Sequence, residues 1–130
     1  MLLDDIAIIL VGAGLGTTGT DLFLSQMPPT PDTVVTLYET GGQAPMYTHS
    51  SPLQAYERPM FQVIARDPSY VAARNKINSI WKTLGAIKNT SITDAFYLMI
   101  MPRQSPFDMG DDENKRSRLV VNFDVVKAVA

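Results

Sequence analysis

The chain has no cysteine among its 130 residues. That removes disulfide staples, zinc–thiolate sites and thiol nucleophiles together. Histidine occurs once, as His49, so one copy cannot assemble a multi-histidine metal site or histidine-based catalysis. No apolar run approaches the ~20 residues that span a bilayer, so no membrane association is expected. A basic leader is also missing: Asp4 and Asp5 stand where a signal peptide carries Lys or Arg, and no such peptide is expected. No lysine follows the glycine-rich segment near the start, which excludes a Walker-type phosphate loop. The net charge of −2 argues against sequence-specific nucleic-acid binding, which draws on a basic stripe.

One absence is local. Residues 1–57 contain no Lys or Arg and six acids, whereas residues 58–130 hold all eleven bases against seven acids. If folding interleaves the two halves, the asymmetry disappears. If it does not, opposite charge on two faces helps like subunits pack head to tail, as a ring requires.

What the chain does contain is enough apolar sequence, 45%, for a hydrophobic core in one domain over residues 1–130. Residues 58–84 form its organising stretch. Met60 to Ala65 read as a buried strand. Asp67 then serves as N-cap and Pro68 as the first residue of a helix. Tyr70, Ala73, Ile77, Ile80, Trp81 and Leu84 mark that helix's apolar face, and Gly85 supplies a left-handed stop. Upstream, Leu2, Leu3, Ile6, Ile9, Leu10 and Ala13 recur at helical spacing, with Asp4 and Asp5 favoured by the dipole of the first turn.

Residues 21–25 suit a short strand, and the prolines at 28, 29 and 31 block any helix or central strand after it. Residues 33–39 are β-branched and aromatic, hence a strand. Residues 40–57, with Gly41, Gly42, Pro45 and Pro52, read as a long loop, and loops of that length are commonly functional. Residues 86–94 are a short strand or turn region. Residues 95–101 are apolar on both faces, which suits an interior or interface strand, and 102–116 read as a second polar loop. Residues 118–126 alternate as an antiparallel strand with one face on the core. The expected fold is α+β: an antiparallel-rich mixed sheet flanked by two helices, with a long loop.

Two segments invite a chemical reading. Gly14, Gly16 and Gly19 match the dinucleotide pattern G-x-G-x-x-G, which works by aiming a helix N-terminus at a pyrophosphate. Only six residues separate Asp21 from the first proline, too few for the crossover helix. A glycine-rich connector is the plainer account. Asp108, Asp111, Asp112, Glu113 and Asn114 lack the alternating ligands of an EF-hand loop and read as a solvated turn, with Gly110 at a positive-φ position. Ser50 and Ser51 lack a nucleophile elbow. No catalytic group, metal or cofactor is expected. Met46, Tyr47, Phe107 and Met109 are apolar residues in expected loops, which suits burial against another subunit or against the parent domain.

Order and spacing then carry a resemblance. Leu22, Phe23 and Pro28 are followed by Tyr38 with Gly41 and Gly42. Next come Arg58-Pro59-Met60, Gln62-Val63 and Arg66. Gln104-Ser105-Pro106, the Gly110-to-Glu113 run, Arg116 and Val121-Asn122-Phe123 close the series. Together these resemble the tail terminator, or minor capsid, proteins of long-tailed bacteriophages over nearly the whole chain. The resemblance implies a homo-oligomeric ring, a hexamer, assembled in the host bacterial cytoplasm and resident in the virion tail or neck. Such a ring caps the head-proximal end of the tail tube, ends its polymerisation and joins the head connector, with no cofactor. Its partners would be the tail tube protein and the neck protein. Residues 43–57 and 105–116 are the expected tube or connector contacts, through Met46, Tyr47, His49, Phe107, Asp111, Asp112, Lys115 and Arg116. Arg58, Arg66 and Arg74 are expected at the subunit interface. Another head–tail joining or tail-completion protein is the sibling alternative. A small nucleotide-binding enzyme using residues 14–19 is the distant one.

Overall fold

Apolar periodicity decides where the elements fall in the computed structural model, which describes residues 2–47, 55–93 and 95–128. Helix α1 (Leu2–Gly12) buries Leu2, Leu3, Ile6, Ala7 and Leu10, the three- and four-residue repeat of one helical face. Strands β1 (Leu22–Leu24), β2 (Val34–Tyr47) and β3 (Ala55–Asp67) follow, then α2 (Tyr70–Gly85). Strands β4 (Lys88–Ile92), β5 (Ala95–Pro102), β6 (Phe107–Asp111) and β7 (Ser117–Ala128) complete the described elements. This is an α+β arrangement with two helices on a mixed sheet.

The sheet runs β1-β2-β3-β7-β5-β4, with β6 also paired to β7. The β1–β2 pair is parallel and the others are antiparallel. Register sets the core. Leu37 lies opposite Val63, and Val63 opposite Val121. Phe61 faces Phe123 with ring centroids 5.0 Å apart and planes 13° from parallel. These side chains meet Ala73, Ile77, Ile80 and Leu84 of α2 and the buried face of α1 in one cluster. Full burial of each such aliphatic or aromatic side chain is worth ~1.5–3 kcal/mol. The alternate residues Val34, Ile64 and Val120 are buried too, but outside that cluster, on the sheet's other face.

Several expectations are corrected. Residues 40–47 and 55–57 are strand, not part of a long loop. The glycines are accommodated by register shifts between Thr40 and Gln43 and between Gln43 and Met46. Gly42 is required there: a Cβ would stand 2.6 Å from the Arg58 carbonyl oxygen and 2.9 Å from Pro59 Cα. Within the expected loop at 102–116, residues 107–111 form β6.

The α2 N-cap is Ser69, whose hydroxyl accepts from the Ala72 amide at 3.3 Å, not Asp67. Asp67 instead accepts from the Ser69 amide and the Thr33 hydroxyl, tying the helix entrance to the start of β2. Pro68 consequently precedes the helix. Gly85 is not left-handed; the helix ends through Ala86 in a right-handed conformation. Gly110 does take positive φ, +93°, but at a register shift within β6, and Lys115 at φ 59° closes the turn.

Candidate assembly surfaces

The two stretches expected to make outside contacts lie at opposite ends of the sheet. Tyr56 pairs with Ala128 at one end of β3, and Asp67 pairs with Ser117 at the other. Eleven strand steps separate these pairs, roughly 36 Å at ~3.3 Å per residue. The β2–β3 hairpin forms one end and the turn from β6 to β7 forms the other.

The turn end is held by charge. Asp112 Oδ1 accepts from the Asn114 and Arg116 amides, each at 2.9 Å, and its Oδ2 accepts from Arg116 Nε at 2.7 Å. Desolvation works against the Asp112 charge, but the amide and guanidinium of Arg116 outweigh it and hold the carboxyl below the usual range. Arg116 Nη1 also donates to the Pro29 carbonyl at 2.6 Å and to Asp32 at 3.2 Å. Arg66 Nη2 donates to the Pro28 and Pro31 carbonyls, both at 2.7 Å, and its Nε reaches the Asp32 carbonyl at 3.3 Å. Burial, and then the like charge of Arg116, lower the affinity of the Arg66 guanidinium for its proton; Asp112 and Asp32 oppose that shift. An open depression of about 540 Å³ lies over this cluster. Prolines present carbonyls but no amide hydrogens to a ladder, so an irregular proline segment needs donors from elsewhere. The two arginines supply them.

The hairpin end is built mainly from backbone pairing. Gln43 pairs with Arg58, Met46 with Tyr56, and Tyr47 with Ala55. Arg58 Nε donates to the Ala44 carbonyl at 2.9 Å. Behind the hairpin, the Tyr97 hydroxyl donates to buried Asp5 at 2.6 Å, joining β5 to α1. Burial first, and then that bond, push the Tyr97 hydroxyl well above its usual range. Lys127 lies 5.7 Å from the Tyr97 ring centroid and 3.6 Å from Glu57.

The expected contact residues therefore divide. Met46 and Tyr47 lie at the hairpin end, and His49 falls outside the described residues. Asp111, Asp112, Lys115 and Arg116 gather at the turn end. Phe107 starts β6 and is 41% exposed, near Met109 at 45%. Of the arginines expected at a subunit interface, Arg66 is buried in the turn-end cluster, beside Arg116 rather than Arg58. Arg74 ties α2 to the β5–β6 connection, donating to the Pro106 carbonyl at 3.0 Å and to the Tyr70 hydroxyl. Sequence reasoning missed Pro28, Pro29, Pro31 and Asp32 as a unit; the signal available was the surplus of unpaired carbonyls in a proline run.

The segment with Gly14, Gly16 and Gly19 follows the C-terminus of α1 and leads into β1, not into a helix. It therefore aims no helix N-terminus at a phosphate. Among the described residues, no group of acids and histidines has the arrangement of a metal site.

The family model described as "Bacteriophage tail terminator protein" matches residues 9–128. Among solved structures, a chain of the "Virion of native gene transfer agent (GTA) particle" has a similar fold, with TM-score 0.61 and 15% identity. The match covers 95% of the present chain and 86% of that one. No curated protein matches the sequence.

Proposed function

Because the chain belongs to the bacteriophage tail terminator family, and so is a structural protein of the virion tail, we propose that it closes into a ring on the head-proximal end of the tail tube. That ring stops tube growth and offers the surface to which the head connector binds. A tube grows because each ring's upper face accepts the lower face of the next, a contact that never closes along the axis. A terminator must imitate the lower face and present a different upper one.

The observation that carries this reading is the chemical difference between the two ends of the sheet. The turn end is an arginine–carboxylate cluster locked onto a proline segment. The hairpin end is paired backbone with bulges at Gly41 and Gly42. Shape and charge at these ends do the work, and no bond is made or broken. Met46, Tyr47 and His49 supply contacts at one end, and Phe107, Asp111, Asp112, Lys115 and Arg116 build the other.

Interrupting the gene and viewing the particles by electron microscopy tests the proposal. Tails well beyond normal length are expected. Separate heads beside tails of normal length would contradict tube termination and assign the protein to the neck instead.

A further inference from the structure

The uneven charge of the sequence survives folding because β1 and β2 stand at one edge of the sheet and β5 and β4 at the other. Helix α1 and strands β1 and β2 form one flank, and residues 1–47 bring to it Asp4, Asp21 and Glu39 with no Lys or Arg, while Asp5 is buried and Asp32 pairs with Arg116. The opposite flank is β4, β5 and α2. Residues 70–107 carry Arg74, Lys76, Lys82, Lys88 and Arg103 there, against Asp94 alone. Within the sheet β3 and β7 lie between the two flanks; on the helix side the flanks meet, where Tyr97 donates to Asp5 and Lys76 Nζ donates to the Leu15 carbonyl. Each flank also carries apolar surface. Ile8 and Val11 of α1 are 54% and 43% exposed beside a groove that Asp4 and Leu24 help to line. On the basic side, Trp81, Gly85, Ala86 and Pro102 line an open depression with Lys82.

Resting on the ring reading, we infer that the subunit contact is heterologous and joins the acidic α1–β1–β2 flank of one copy to the basic α2–β4–β5 flank of the next. The occupant of each flank is a second copy of this chain, because the two flanks have opposite charge and both carry exposed apolar groups. A two-fold contact would set like charge against like. A head-to-tail contact sets acid against base at every junction and closes if the rotation permits.

Charge reversal at exposed positions tests it. Asp4, Glu39, Lys82 and Lys88 are all exposed and make no side-chain hydrogen bond or ion pair among the described residues. Wild type, D4K/E39K, K82E/K88E and the fourfold variant are compared for ring formation by mass photometry, with and without purified tail tubes. Circular dichroism melts check that each variant folds. Each double variant is expected to weaken ring formation by about tenfold or more, since like charges then face each other. The fourfold variant, with both flanks inverted, is expected to recover most of the wild-type assembly. Rings that form equally well from both double variants would overturn the flank assignment while leaving the ring intact. A wild type that forms no ring, alone or on tubes, would instead refute the ring reading on which the inference rests.

Discussion

The two ends of the sheet solve different problems. At the turn end the chain between β1 and β2 is irregular and proline-rich, and two buried arginines supply the donors its carbonyls need. At the hairpin end β2 and β3 keep a ladder through two register shifts, with Arg58 to Ala44 as a side-chain support. The contrast teaches that a fixed outer surface can come from charged side chains where the backbone cannot pair, and from bulged pairing where it can. It also suits the proposed role, in which the two ends meet different partners.

The largest effect should come from removing the arginine that serves three carbonyls. Arg66→Ala is expected to cost about 3–5 kcal/mol in urea unfolding, because Pro28, Pro31 and Asp32 lose their donors. A loss below 1 kcal/mol would show that the proline segment is held by other means. Tyr97→Phe is the comparable change behind the hairpin. It leaves the Asp5 carboxylate buried without its hydroxyl partner and should cost about 2–3 kcal/mol. The double change Asp5→Leu with Tyr97→Phe should recover much of that, because neither polar group is then stranded.

Gly42→Ala comes next, at about 1–2 kcal/mol, since the added methyl meets the backbone of Arg58 and Pro59. Hydrogen exchange should show the loss at β2–β3 amides and leave the turn end unchanged. Equal loosening at both ends would mean that they are not independent.

The smallest effect concerns pH. The Asp112 carboxyl titrates below its ordinary 3.8 in the folded chain. Its contribution is complete above that ordinary value and is lost as pH falls through the lower folded-state value. Asp112→Asn should therefore flatten the acid limb of the stability profile below about pH 4. An unchanged acid limb would remove Asp112 from the turn-end lock.

Much of this fold is legible in the sequence where burial is one-sided. Ala73, Ile77, Ile80 and Leu84 announce α2, and the alternation of Leu119, Val121, Phe123 and Val125 announces β7. Residues 40–47 are not legible as strand, because Gly41, Gly42 and Pro45 look like breakers when their partner strand is unknown. Pairing across to residues 55–60 overrides that local preference, with bulges absorbing the glycines. Strand β6 is hidden for another reason: all its residues are exposed, so no alternation marks it. The N-cap lies two residues beyond the expected Asp67, because Asp67 and Ser69 are both good caps and only the geometry separates their duties. At the candidate surfaces, the acidic turn and Phe107 were visible as exposed loop chemistry. The role of Arg66 was not, because its acceptors lie 34 to 38 residues away in the chain.

The most direct test of the central claim is the mass of the purified protein measured with and without isolated tail tubes. A protein that caps tubes will appear on them as a single closed oligomer at one tube end, and tubes so capped will stop growing. A chain that stays monomeric in both samples, with tube growth unaffected, would contradict the account.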